Sequence, residues 1–110
     1  MKTKAWKKIQ RCVNSIIRNL NEGIKEDGVL KGRFSVKQVD RKTFSYHSPD
    51  DGSEFELLFF VQLKDNETGL TKTVTIKLLS FTIHCREFAA AQLLAALNKF
   101  IIYDCYFEEE

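Results

Sequence analysis

The sequence is poor in chain breakers. It has one proline and five glycines in 110 residues, which excludes a Pro/Gly-rich low-complexity chain. Cysteine is scarce and scattered. Cys12, Cys85 and Cys105 are odd in number, form no C-x-x-C, and stand beside no histidine pair at metal-ligand spacing. They read as small thiols in a reducing compartment rather than as a disulfide framework or a zinc site. Long apolar runs are missing too. The longest candidate, Phe88 to Leu97, is interrupted by Gln92 and falls far short of the ~20 residues that span a bilayer. The basic start (Lys2, Lys4, Lys7, Lys8) runs into Gln10, Arg11, Asn14 and Ser15. No signal-peptide core follows, so a cytosolic location and no membrane partner are expected. Catalytic signatures are lacking: there is no G-x-S-x-G, no Gly-rich phosphate loop and no H-E-x-x-H. The expectation is a protein that is not an enzyme and needs no cofactor, metal or small-molecule substrate.

What is present is the composition of a globular domain: 44% hydrophobic, 29% charged and 12% aromatic residues. The length fits one domain over residues 1–110. Trp6, Ile9, Val13, Ile16, Ile17, Leu20 and Ile24 recur at spacings of three and four. They predict an amphipathic helix of about 20 residues ending near Asp27-Gly28, with Gly23 able to fray its last turn. Four strands are predicted next: Arg33 to Val39, Thr43 to His47, Glu54 to Lys64 and Thr71 to Phe81. Ser48-Pro49-Asp50-Asp51-Gly52 and Asp65 to Gly69 supply turns between them. An Ala-rich helix from about Ile83 to Asn98 is apolar on most sides, which predicts wide burial. Phe100 to Phe107 alternates as a further strand, and Glu108 to Glu110 form a charged end. The expected order is α-β-β-β-β-α-β. It amounts to a two-layer α+β domain with helices on one face of an antiparallel sheet of four to five strands.

The core order, with Phe88-Ala89-Ala90-Ala91-Gln92 in the closing helix, resembles the double-stranded-RNA-binding domain. The resemblance is one of element order and covers about two-thirds of the chain. It departs from that family twice. His84-Cys85-Arg86-Glu87 stands where such domains carry a Lys-Lys pair, and there is one strand too many.

Charge is unevenly placed. Residues 1–33 hold nine Lys and Arg against three acids, and residues 34–110 hold eight against twelve. The first helix carries Lys4, Lys7, Lys8, Arg11 and Arg18 away from its apolar face, and residues 1–21 contain no acid. Cations at a helix N-terminus oppose the macrodipole, at about 0.3–1 kcal/mol each when exposed. A solvated face, contact with the chain's own acids, and a negatively charged partner such as nucleic-acid phosphate or an acidic protein surface are the readings of that pattern. His47, Asp50, Asp51, Glu54 and Glu56 gather around one turn, but without the D-x-D-x-D-G spacing of a calcium loop. A polar hairpin is the simpler reading. Aromatic residues are frequent on the strands, yet Phe55 and Phe59 share a face with Leu57 and Val61 and belong to the core.

Two functions of different kinds follow as expectations. The first is a non-enzymatic binding protein that recognises an anionic partner, nucleic acid or a nucleoprotein complex, through Lys4, Lys7, Lys8, Arg11 and Arg18. The second is a protein-interaction module of the accessory kind carried by phages and mobile elements: an inhibitor, immunity protein or chaperone. Its surface, or that of a homodimer, is expected at Leu58, Phe60, Leu79 and Phe81 on the uncovered sheet face. The excess of Lys over Arg, 12 to 5, would suit an AT-rich genome.

Overall fold

The computed structural model describes the backbone of residues 3–48, 52–79 and 85–105, and the side chains of 7–42, 56–78 and 86–105. The elements are α1 (Thr3–Glu26), β1 (Phe34–Ser48), β2 (Gly52–Asp65), β3 (Thr71–Leu79), α2 (Cys85–Lys99) and a π-helical turn over Phe100–Asp104. The class is α+β, as the alternating and helical periodicities predict. The strand count differs. There is one antiparallel sheet of three strands in the order β1-β2-β3.

Two corrections account for the difference. The expected strands Arg33 to Val39 and Thr43 to His47 are one strand. Its pairing with β2 shifts register between Gln38 and Asp40, so Val39 is the extra residue of a β-bulge. The bulge breaks the alternation, and a break in alternation was the only signal of a turn there. The expected strand at Phe100 is also absent. The chain continues from α2 without a breaker, and Cys105 N–H donates to the Phe100 carbonyl at 2.9 Å to close the wide turn. Positions 106 and 107 lie outside the described residues. The observed order is α-β-β-β-α: the first two expected strands are one, and none is seen at Phe100–Asp104.

Both helices lie on one face of the sheet, α1 over β1 and α2 over β3, and they touch each other. α1 contributes Ile9, Val13, Ile17 and Ile24 to the core. β2, the central strand, contributes Leu57, Phe59, Val61 and Leu63, none of which retains any exposure. Ile76 and Leu78 of β3 and Ala89, Leu93 and Leu97 of α2 complete it, with Phe100 packed edge-on against Phe34 at 6.3 Å between ring centroids. The bulge inverts the faces of β1. Phe34, Val36 and Gln38 pair with the inward residues Asp65, Leu63 and Val61, whereas beyond Val39 it is Arg41 that pairs with inward Phe59.

The exit from α1 is built by local chemistry. Asp27 Oδ1 accepts from the N–H groups of Val29 and Leu30 at 2.8 and 2.9 Å. Lys31 and Gly32 take positive φ, and Gly32 N–H donates back to the Ile24 carbonyl at 3.1 Å. Arg33 then clamps Asp65 at the end of β2, Nε to Oδ1 at 3.0 Å and Nη2 to Oδ2 at 2.9 Å. This bidentate pair joins the first loop to the β2–β3 turn, which is where the expected turn at Asp65 to Gly69 falls.

Candidate anion-binding surface

α1 spans 24 residues, about 36 Å at 1.5 Å per residue. Its core stripe fixes what faces solvent. Lys7, Lys8, Arg11 and Arg18 are all exposed on the opposite side. Lys4 lies in the first turn, which carries no acid; its side chain is outside the described residues. Lys4, Arg11, Arg18 and Lys25 are each seven residues apart. Seven residues on an ideal helix advance about 10.5 Å and drift only ~20°, so these positions form one line along the helix. Lys25 was not named in the sequence expectation, although the expected helix, ending near Asp27-Gly28, includes it. Its seven-residue spacing from Arg18 was the signal that could have included it.

Among the described residues, the cations of this face enter no ion pair with the fold. Ion pairs among the described residues use Arg33, Lys72 and Lys77, which meet Asp65, Glu67, Asp104 and Glu56. None of them uses Lys7, Lys8, Arg11, Arg18 or Lys25.

The second half of the line borders a groove. α1 crosses the edge strand β1 antiparallel to it, with Gln10 beside Gln38 and Arg41 and Asn21 beside Val36. An open groove of about 600 Å³ lies between them. Arg18, Lys25 and Lys37 line it, Glu22 is its one acid, and Ile17 and Val36 lie at its base. Asn21 is locked there: its Nδ2 donates to the Val36 carbonyl at 2.8 Å and its Oδ1 accepts from Val36 N–H at 2.9 Å. The amide stands in for a missing neighbouring strand and satisfies the edge of the sheet. A concave, low-dielectric wall lined mainly by one sign of charge focuses the field outward. Lys37 is invisible as a site residue in the sequence, because only the crossing of α1 over β1 brings it to Arg18.

The outer sheet face is less apolar than the expectation at Leu58 and Phe60 implied. Both are half-buried. Lys42 Nζ sits 5.7 Å from the centroid of the Phe60 ring, and the register flanks Leu58 with Lys42 and Lys77. Lysine stems therefore line this apolar strip while keeping their charges in water. Leu79 pairs with Glu56 through the backbone, its side chain lies outside the described residues, and so does all of Phe81.

Large exposed apolar side chains occur elsewhere. Phe88 and Leu94 on α2, and Ile102 and Tyr103 in the π-helical turn, are each about half exposed or more. The expected wide burial of α2 is thereby corrected: the helix buries one face and presents an apolar one. Among the described residues the most strongly perturbed titratable group is Asp65. The Arg33 guanidinium and the Glu67 N–H hold its carboxyl far below the usual carboxylate range, but it faces Arg33 within the fold and not the groove. Among the described residues no cluster of three or more His, Cys, Asp or Glu could hold a metal, and no helix is long and apolar enough to cross a membrane. Compared with known protein families, curated proteins and solved structures, the chain has no significant match. The likeness to double-stranded-RNA-binding domains therefore stays one of element order.

Proposed function

We propose that this chain is a small non-enzymatic binding protein that recognises an anionic partner, a nucleic-acid backbone alone or within a nucleoprotein complex, through the solvent face of α1. The observation that carries the reading is the line Lys4, Arg11, Arg18 and Lys25, flanked by Lys7 and Lys8. Among the described residues the cations on it enter no ion pair, whereas Arg33, Lys72 and Lys77 do. Lys37 adds a cation across the groove. Cations held at fixed spacing on a rigid helix suit contacts to phosphate oxygens, which set register without reading bases.

The test is fluorescence anisotropy with single- and double-stranded oligonucleotides at several salt concentrations. Four or five cations on one helix reach about three phosphates, so log K should fall against log salt with a slope of about −2 to −3. Replacing Arg11, Arg18 and Lys25 by Ala together should weaken binding by a similar factor for every sequence. Absence of measurable binding to any oligonucleotide at low salt would sink the reading. A protein partner, of the phage or mobile-element accessory kind, is the second reading. The apolar outer face of α2 is the observation that favours it.

A further inference from the structure

The two edges of the sheet are finished differently. On β1, Asn21 takes both backbone groups of Val36 that face away from β2. α1 runs past the start of α2, since Arg86 Nη2 donates to Ser15 Oγ at 3.4 Å. It carries Gln10 along the same edge to Gln38 and Arg41. On β3 an amide is placed likewise: Lys77 N–H donates to Gln92 Oε1 and Gln92 Nε2 donates to the Lys77 carbonyl, both at 3.0 Å. The backbone groups of Lys77 therefore face away from β2, and so do those of Thr75, Thr73 and Thr71, at steps of two along the strand. These threonines are exposed. Among the described residues, nothing outside the sheet bonds to the backbone of Thr73 or Thr75.

We propose that the β3 edge from Thr71 to Thr75 is a docking site for an extended peptide segment of a partner protein, which adds as a fourth strand and stops at the Gln92 amide. Backbone donors and acceptors that point outward every second residue, about 6.8 Å apart, match another extended backbone. The side chains specify more. Val74 pairs with Val61, which has no exposure, yet Val74 itself is only partly buried against the core. Ala96 is also partly buried there. It lies one turn after Gln92 on the same flank of α2. α2 runs antiparallel to β3, from Gln92 at Lys77 to Asp104 at Lys72, so Ala96 stands over the open stretch. The partner residue opposite Val74 is therefore apolar and completes this burial. Its two neighbours, beside Thr73 and Thr75 on the solvent face, are polar.

A second copy of this chain does not meet these terms. Two β3 strands joined edge to edge lie about 4.8 Å apart. Each carries its own α2, whose Gln92 reaches round to the outward-facing groups of Lys77. Packed helices need roughly 8–10 Å between axes, so the two would collide over the seam. The occupant is a strand with no helix above it. The site lies across the sheet from α1, which makes it independent of the anion-binding reading.

The probe is a capped seven-residue peptide of alternating threonine and valine with a glutamate at each end. The measurement is residue-resolved amide hydrogen exchange of the full chain by NMR. Without peptide, Thr73 and Thr75 should exchange freely, while Val74 and Ile76, bonded to β2, are protected. Millimolar peptide should slow exchange at Thr73 and Thr75 at least tenfold. The same peptide N-methylated on its threonines, the residues that bond to Thr73 and Thr75, should not. In Gln92→Ala, with folding checked by thermal melt, the peptide should protect Lys77 as well. Thr73 and Thr75 as protected as Val74 in the free chain, no slowing at millimolar peptide, or equal slowing by the methylated peptide would each overturn the proposal. So would protection of these amides that grows with protein concentration alone, which would give the edge to a second copy.

Discussion

Replacing Asp65 by Asn should remove one of the strongest polar links in the fold. Asp65 has no exposed surface. Its two oxygens accept from Arg33, and Oδ1 also accepts from the Glu67 N–H at 3.0 Å. Asn is the same size and keeps one acceptor, but it turns an NH₂ toward a guanidinium that can only donate. Breaking a buried pair by removing one partner costs about 3–5 kcal/mol. A smaller cost applies here, because Arg33 is 22% exposed and keeps Glu67 at 3.0 Å. A loss of about 2–3 kcal/mol is therefore expected, which lowers the melting temperature by about 10–20 °C for a domain of this size.

The effect should depend on pH in a defined sense. In the folded chain the Asp65 carboxyl is held far below the ordinary range, first by the Arg33 side chain, whereas in the unfolded chain it titrates near 3.9. A depressed folded value stabilises fully above the unfolded one, and the contribution is lost as pH falls toward the folded one. Urea unfolding of both proteins at neutral pH, and again below about pH 4, measures the gap directly. A gap under about 0.5 kcal/mol at neutral pH, the range of ordinary surface substitutions, would refute the argument. So would a gap that stays constant into acid.

Two further outcomes follow from single contacts. Asn21→Ala leaves the N–H and C=O of Val36 without their partner at the edge of β1, so urea midpoints should report a loss of about 1–2 kcal/mol; an unchanged midpoint would mean that water replaces the amide at no cost. Burial, and then the nearby Asp65 carboxylate, push the Cys105 thiol above its ordinary value, so its iodoacetamide alkylation, followed by peptide mass mapping, should still be accelerating above about pH 9; a rate that levels off near the ordinary thiol value of about 8.5 would contradict it.

Where the sequence misleads, it does so through periodicity. Gln38-Val39-Asp40-Arg41-Lys42 looks like a turn because four of its five residues are polar, so the alternation of Phe34 and Val36 lapses until Phe44. A bulge accommodates such a lapse without ending the strand. The absence of Gly, Pro and Asn between Arg33 and Thr43 was the available signal, as was the length of β2, which needs a partner of similar length. Phe100 to Cys105 fails for a related reason. A β-rich composition with period-2 alternation outweighed the lack of any breaker after Lys99, and a π-helical turn puts neighbours Ile101 and Ile102 on different sides much as a strand does. The α1 cations were legible because amphipathicity alone decides what faces out. Lys37 and the α2 face were not, since both depend on how elements cross and on which side of α2 the sheet leaves open.

The bulge also accounts for how the basic half of α1 is held. Residues three apart in a regular strand point to opposite faces. Because Val39 is extra, Gln38 and Arg41 both reach the helix side, where Gln10 Nε2 donates to Gln38 Oε1 at 2.7 Å and Gln10 Oε1 accepts from Arg41 Nη1 at 3.0 Å. Gln10 sits between Lys7, Lys8 and Arg11 in the chain. Together with Ile9 and Val13 in the core, it fixes the stretch of helix that runs beyond α2. A helix end rich in cations and without a first-turn acid is opposed by its own dipole and would fray if left unsupported. Tertiary contacts made possible by one extra strand residue hold it instead. A helix segment held in place before binding loses less freedom on meeting a polyanion, so under the proposed function the bulge at Val39 would support the binding surface from outside the cation line.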